Sequence, residues 1–166
     1  MKGVIASLSV LLLVAAGCGD AGSSKAAPPK RTSFTAATEP KAKPKPKRTG
    51  KRVTIHRSDY GKILADDRGR ALYLFTRDGD RSRCSGDCAS AWPPFLTKGA
   101  PRAGDRVKQK LLGTVKRSDG RRQVTYNGHP LYYYVGDDEP GEVLCQAALE
   151  YGGYWYVVKR SGAPVK

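Results

Sequence analysis

From residue 53 onward, apolar and polar positions alternate in short runs; over the preceding thirty-odd residues they do not. The stretches KILADDRGRALYLF at 62–75 and RQVTYNGHPLYYYV at 122–135 each read as strand, turn, strand. Asn127-Gly128 fits a two-residue type I′ turn, because both residues tolerate positive φ, and Asp67-Arg68-Gly69 makes a looser equivalent. Strand alternation puts Tyr73 and Phe75 on one face and Leu72 and Leu74 on the other. In the later stretch Tyr132 and Tyr134 face one way, opposite Leu131, Tyr133 and Val135. Strands that are apolar on both faces are central or sandwiched strands. Val53 to His56, Leu111 to Arg117 and Tyr154 to Lys159 predict further strands. No segment sustains a 3.6-residue period; Cys88 to Trp92 predicts one helical turn, stopped by Pro93-Pro94.

The two strand-turn-strand stretches are copies. LYLFTRD at 72–78 aligns with LYYYVGD at 131–137 at an offset of 59 residues. That offset pairs Gly69 with Gly128, Tyr73 with Tyr132, Phe75 with Tyr134, and Asp78 with Asp137. The 114 residues from 53 to 166 suffice for one core. The prediction is an all-β domain at 53–166. It consists of two related β-hairpin repeats, about 60–98 and 111–158, sharing one core.

Upstream of that domain the pattern changes twice. Lys2 and the apolar stretch from Val4 to Ala16 read as a signal peptide over 1–17. It ends in Val14-Ala15-Ala16-Gly17-Cys18, which resembles the lipobox of bacterial lipoproteins, with Cys18 as the thiol that takes a diacylglycerol. No apolar run reaches the roughly 18 residues of a membrane-spanning helix, so attachment is expected through lipid. Residues 18–52 are the lipidated cysteine and a Lys/Pro-rich segment with KAKPKPKR at 41–48. Such a segment buries too little apolar surface to offset its ordering entropy and is expected to be a disordered tether.

The net charge of +15 is unevenly spread. Residues 19–52 hold ten Lys and Arg against two acids, and residues 53–166 hold nineteen against thirteen. The tether is therefore the more basic part for its length, suited to anionic lipid headgroups or an anionic wall polymer. Nucleic acid is the other partner a basic chain suggests, but export argues against it and no motif supports it.

The duplicated residues carry a family resemblance. Tyr-x-aromatic-x-x-Asp occurs as Tyr73, Phe75 and Asp78 and again as Tyr132, Tyr134 and Asp137. With Cys84, Cys88 and Ala89, then Trp92-Pro93-Pro94, and the KRSDG and VTYNGHPLY stretches, the chain resembles a predicted bacterial lipoprotein family, a secreted repeat of unknown function. The resemblance implies an architecture and an envelope location more than a chemistry. Cys145 departs from the family pattern, in which a glycine-rich turn is frequent there.

Candidate chemistry is sparse. Asp78 and Asp137 offer two carboxylates for a cation or a sugar hydroxyl; the simpler reading is that each accepts turn N–H groups. Duplication favours the turn, since a repeated scaffold repeats its turns. Tyrosine is abundant, with nine residues, and a tyrosine-lined binding face in the last third is expected. With Cys18 lipidated, Cys84, Cys88 and Cys145 remain, an odd number for an oxidising compartment. Three pairings are open; the family resemblance implies Cys84–Cys88, and repeat symmetry makes Cys84–Cys145 the second choice. The alternative is a thiol-based metal-binding or redox site of Cys84, Cys88 and Cys145, with His129 or His56 as a nitrogen donor. No G-x-S-x-G, P-loop or H-E-x-x-H is present, and Glu139, Glu142 and Glu150 show no sign of facing one another across a cleft. The expectation is a non-enzymatic, cofactor-free, lipid-anchored envelope module, facing outside the cytoplasm and binding an anionic wall polymer or an envelope protein.

Overall fold

The computed structural model describes residues 49–166. The expected signal peptide at 1–17, the expected lipidation residue Cys18 and the expected tether of 18–52 as far as residue 48 lie outside the described residues.

Strand β1 (Arg52–Ser58) folds back on β2 (Gly61–Ala65) as an antiparallel hairpin. Its counterpart is β5 (Leu112–Lys116) with β6 (Arg122–Tyr126). Each hairpin continues through a tight turn into the strand that carries the duplicated tyrosine. In the first copy this is β3 (Tyr73–Phe75), reached through a turn in which the Asp66 carboxylate accepts the Arg68 and Arg70 N–H groups at 2.9 and 3.0 Å. In the second, Asn127 and Gly128 adopt φ of 50° and 83°, as the type I′ reading requires, and lead into β7 (His129–Pro130) and Leu131 to Val135.

The end of each repeat then crosses to the other. After helix α1 (Asp87–Ala91), the segment from Pro93 to Thr97 joins the second hairpin. There Phe95 donates its N–H to the Leu131 carbonyl and accepts from Val124, at 2.9 and 2.8 Å. The mirror event uses β8 (Ala148–Glu150) and β9 (Gly153–Val157). Strand β9 pairs antiparallel with β3, and the Val158 carbonyl accepts the Leu64 N–H at 2.8 Å. At the junction Tyr73 and Tyr132 exchange both backbone hydrogen bonds, at 2.9 and 3.0 Å. A strand pair that shares both bonds in this way sits on a local two-fold, so the duplicated tyrosines mark the axis between the repeats.

The shared core is two clusters, one on each face of these strands. Tyr73, Phe75, Trp92, Tyr132 and Trp155 dominate one face; Leu64, Leu72, Phe95, Val124 and Leu131 dominate the other. Both clusters draw on both repeats, because neither hairpin covers its own apolar faces.

The fold begins upstream of Val53. The Gly50 N–H donates to the Ala100 carbonyl at 3.0 Å, and Arg52 and Val53 pair in parallel with β4 (Arg102–Ala103). Gly50 is buried so tightly that a Cβ would collide with the Gly99 and Ala100 carbonyls. Among the described residues no helix is long and apolar enough to cross a membrane.

Candidate functional site

The duplicated Tyr and Asp residues meet crosswise. The Tyr73 hydroxyl donates to the Asp137 carboxylate at 2.6 Å, and the Tyr132 hydroxyl donates to Asp78 at 2.7 Å. Each tyrosine thus pairs with the aspartate of the opposite repeat. The second oxygen of each carboxylate accepts a backbone N–H from its own following loop, Leu144 for Asp137 and Arg83 for Asp78, at 2.9 and 2.7 Å. A third bond of the same kind runs from the Tyr133 hydroxyl to Asp66, at 2.9 Å.

The chemistry of the clasp follows from its burial. Tyr73 and Tyr132 are fully buried and Asp137 nearly so. Desolvation raises both aspartate carboxyls above their ordinary value, opposed by the N–H and tyrosine hydrogen bonds they accept. Desolvation and the adjacent carboxylates push the Tyr73 and Tyr132 phenols well above theirs, so both remain donors. Each carboxylate oxygen already serves a group of the fold. The turn N–H bonds expected of Asp78 and Asp137 are present, and the partners from the opposite repeat are what sequence reasoning missed.

Two further residues join the repeats without any signal in the sequence. Arg117 is buried; its guanidinium donates to the Cys84 carbonyl, Gln123 Oε1 and Ser82 Oγ at 2.7, 2.7 and 2.5 Å. Ser82 Oγ in turn lies 2.7 Å from the Tyr132 hydroxyl. Arg70 stacks over the Tyr133 ring at 4.5 Å and donates to the Asp137 carbonyl at 3.2 Å. Phe75, Trp155 and Trp92 stack face to face, with centroids 4.1 and 4.0 Å apart, and Tyr134 closes the row on Trp92 at 4.8 Å.

Cys84 and Cys88 form a disulfide with Cα atoms 5.3 Å apart. Cys145 is a half-buried free thiol, and its contact with the Tyr134 hydroxyl pushes that phenol up to about 12. The Cys84–Cys145 pairing suggested by repeat symmetry is not formed. The thiol-metal reading loses its ligand set as well, since two of its three sulfurs are bonded to each other. Among the described residues no group of three or more His, Cys, Asp and Glu side chains is placed to hold a metal ion. His129 lies on the wall of a cavity of about 430 Å³, alongside Asp78, Tyr154 and Tyr156. In the residues 49–166, one cysteine should react with an alkylating agent before reduction and three after it. Because so short a loop constrains the unfolded chain only modestly, reduction should cost about 2 kcal/mol. Intact mass and thermal unfolding measure both.

The tyrosine-lined face is narrower than expected. Tyr126 and Tyr132 are buried, and Tyr133, Tyr134 and Tyr156 are half-buried. In the last third only Tyr151 and Tyr154 are exposed, beside the exposed Leu149 on β8. Of the three glutamates, Glu150 accepts the Trp92 indole N–H at 2.8 Å, and Glu142 accepts the Asp138 and Glu139 N–H groups at 2.7 and 3.1 Å.

A family model described as a secreted repeat of unknown function matches residues 53–95 and 113–159. The chain belongs to this family. Each secreted repeat matched here starts in its own hairpin and ends with the strand that it gives to the other, at Phe95 and at Lys159. Two copies of the secreted repeat therefore make one domain, not two. A secreted family puts the domain outside the cytoplasm, where a disulfide such as Cys84–Cys88 persists. No curated protein and no solved structure matches the chain.

Proposed function

We propose that this protein is a non-catalytic, lipid-anchored module of the cell envelope. Cys18 is its membrane attachment, the basic segment 18–48 is its spacer, and the secreted-repeat domain is a rigid body that binds an envelope component. The observation that carries the reading is the clasp. The most polar groups in the duplicated motif are turned inward onto each other, so the motif serves as scaffold, and recognition falls to the exposed surface. No nucleic acid and no cofactor enter this reading; the partners are the membrane, through lipid, and a wall polymer or envelope protein. The small residues before Cys18 and the basic residues after it support the anchor and the spacer.

Fractionation of cells that produce the full-length chain tests the anchor. The wild-type protein should sediment with membranes and enter the detergent phase, while Cys18→Ala should be soluble outside the membrane or retain its signal peptide. A Cys18→Ala protein that is processed and still partitions fully into detergent would refute lipid anchoring.

A further inference from the structure

Six cationic side chains surround one cavity. Lys51, Arg52, Lys98, Arg102, Arg121 and Arg122 line a space of about 710 Å³, and all six are exposed. Asp67 is the one acidic residue on the wall. Arg121 is paired with Asp119 at 2.7 Å; among the described residues the other five have no carboxylate within 4.0 Å. The hydrogen bonds that hold two of them go to neutral acceptors. Arg102 donates to the Gly50 carbonyl at 3.2 Å and Arg122 to Thr114 Oγ1 at 2.7 Å.

The backbone brings these charges together. Arg52 and Arg102 are direct register partners in the parallel β1–β4 pair, where like charges destabilise. The Thr97 N–H donates to the Arg122 carbonyl at 2.9 Å, which sets the second repeat's strand β6 against the loop holding Lys98. Both repeats thus build the cavity. A cation cluster that the fold leaves uncompensated is open to an anionic ligand, and arginine's planar fork suits phosphate and carboxylate oxygens.

We infer that this cavity binds a linear polyanion of the envelope, a polymer carrying phosphate or carboxylate groups at intervals. The inference gives a site and a ligand class to the binding role proposed above, and it rests on that role. Three observations select a polymer. Five unpaired cations exceed what a single small anion neutralises. A concave wall accepts a strand, whereas a flat bilayer surface does not enter it. Thr49 lines the cavity, and the basic residues Lys43, Lys45, Lys47 and Arg48 immediately precede it in the sequence.

The test uses the full-length protein with labelled oligomers of poly(glycerol phosphate) and of polygalacturonate, and with vesicles containing phosphatidylglycerol. At least one oligomer should bind, more weakly as salt rises; which of the two binds identifies the anion. The variant Lys98→Ala/Arg102→Ala/Arg122→Ala should lose at least about tenfold in affinity and show a flatter salt dependence. A charge-matched control, Arg57→Ala/Lys62→Ala/Arg106→Ala, changes a separate cavity of about 320 Å³ and should shift affinity less than about twofold. Arg52→Gln guards against misfolding: it should weaken binding while the unliganded thermal midpoint holds or rises. Equal losses in the two triple variants would reduce the effect to net charge and overturn the inference. Binding to the vesicles without binding to either oligomer overturns it too, as does a wild-type protein that binds no oligomer. In those cases the Cys18 fractionation result still stands on its own.

Discussion

Trp155→Ala is expected to destabilise the domain by about 4 kcal/mol, the usual range for removing a buried indole. The ring is fully buried and stacked between Phe75 and Trp92, at 4.1 and 4.0 Å, with the edge of Tyr132 at 5.2 Å. It stands on β9, the strand that the second repeat lends to the first. Its removal therefore opens a void between the repeats instead of trimming one of them. For a domain of this size the thermal midpoint should fall by roughly 15 °C. The adjacent Tyr154, which is 44% exposed, supplies the comparison. Tyr154→Ala should change stability by no more than about 0.5 kcal/mol, as is usual for a surface site. Similar losses at the two positions would mean that the stack does not hold the repeats together.

The hairpins were legible because local chemistry encodes them. Alternation around Leu72 to Phe75 separated the two core faces correctly, with Tyr73 and Phe75 in one cluster and Leu72 and Leu74 in the other. Asn127-Gly128 specified its turn, and Pro93-Pro94 ended the helical turn that α1 makes. The exchange of terminal strands left no such trace. Nothing local in Trp92 to Phe95, or in Trp155 to Val158, states which hairpin each segment will join. That choice depends on which pairing covers more apolar surface, a property of the assembled pair. Arg117 illustrates the same limit: it ends the strand predicted over Leu111 to Arg117, where nothing local signals that it is buried and bonded to the Cys84 loop of the other repeat. One clue was available for the clasp. A buried tyrosine hydroxyl needs a partner. Two buried tyrosines and two turn aspartates, duplicated at one offset, supplied two donors and two acceptors of matching number.

The clasp yields the second large expected effect. Asp137→Ala should cost about 3 kcal/mol, because it leaves the buried Tyr73 hydroxyl and the Leu144 N–H without their acceptor. A double-mutant cycle with Tyr73→Phe isolates the pair. Coupling of about 2 kcal/mol is expected between Tyr73 and Asp137, and again between Tyr132 and Asp78, while the pairs within one repeat, Tyr73 with Asp78 and Tyr132 with Asp137, should couple by less than about 0.5 kcal/mol. A ligand-binding motif would give the opposite result, with little loss of stability and no preference for crossed pairs. The pH dependence adds an independent readout. Burial raises the Asp78 and Asp137 carboxyls, so in the window just above the ordinary aspartate value the folded protein holds protons that the unfolded chain releases. Stability contributed by these groups is present below that window and is lost as pH rises through it. Asp119, held low by Arg121, acts in the opposite sense below the ordinary aspartate value. The two windows therefore separate. Asp137→Asn should flatten the weakly acidic part of the unfolding profile and leave the strongly acidic part in place. An unchanged profile would mean that the Asp137 carboxyl binds its proton equally in the folded and unfolded chain, and would refute a carboxyl raised by burial.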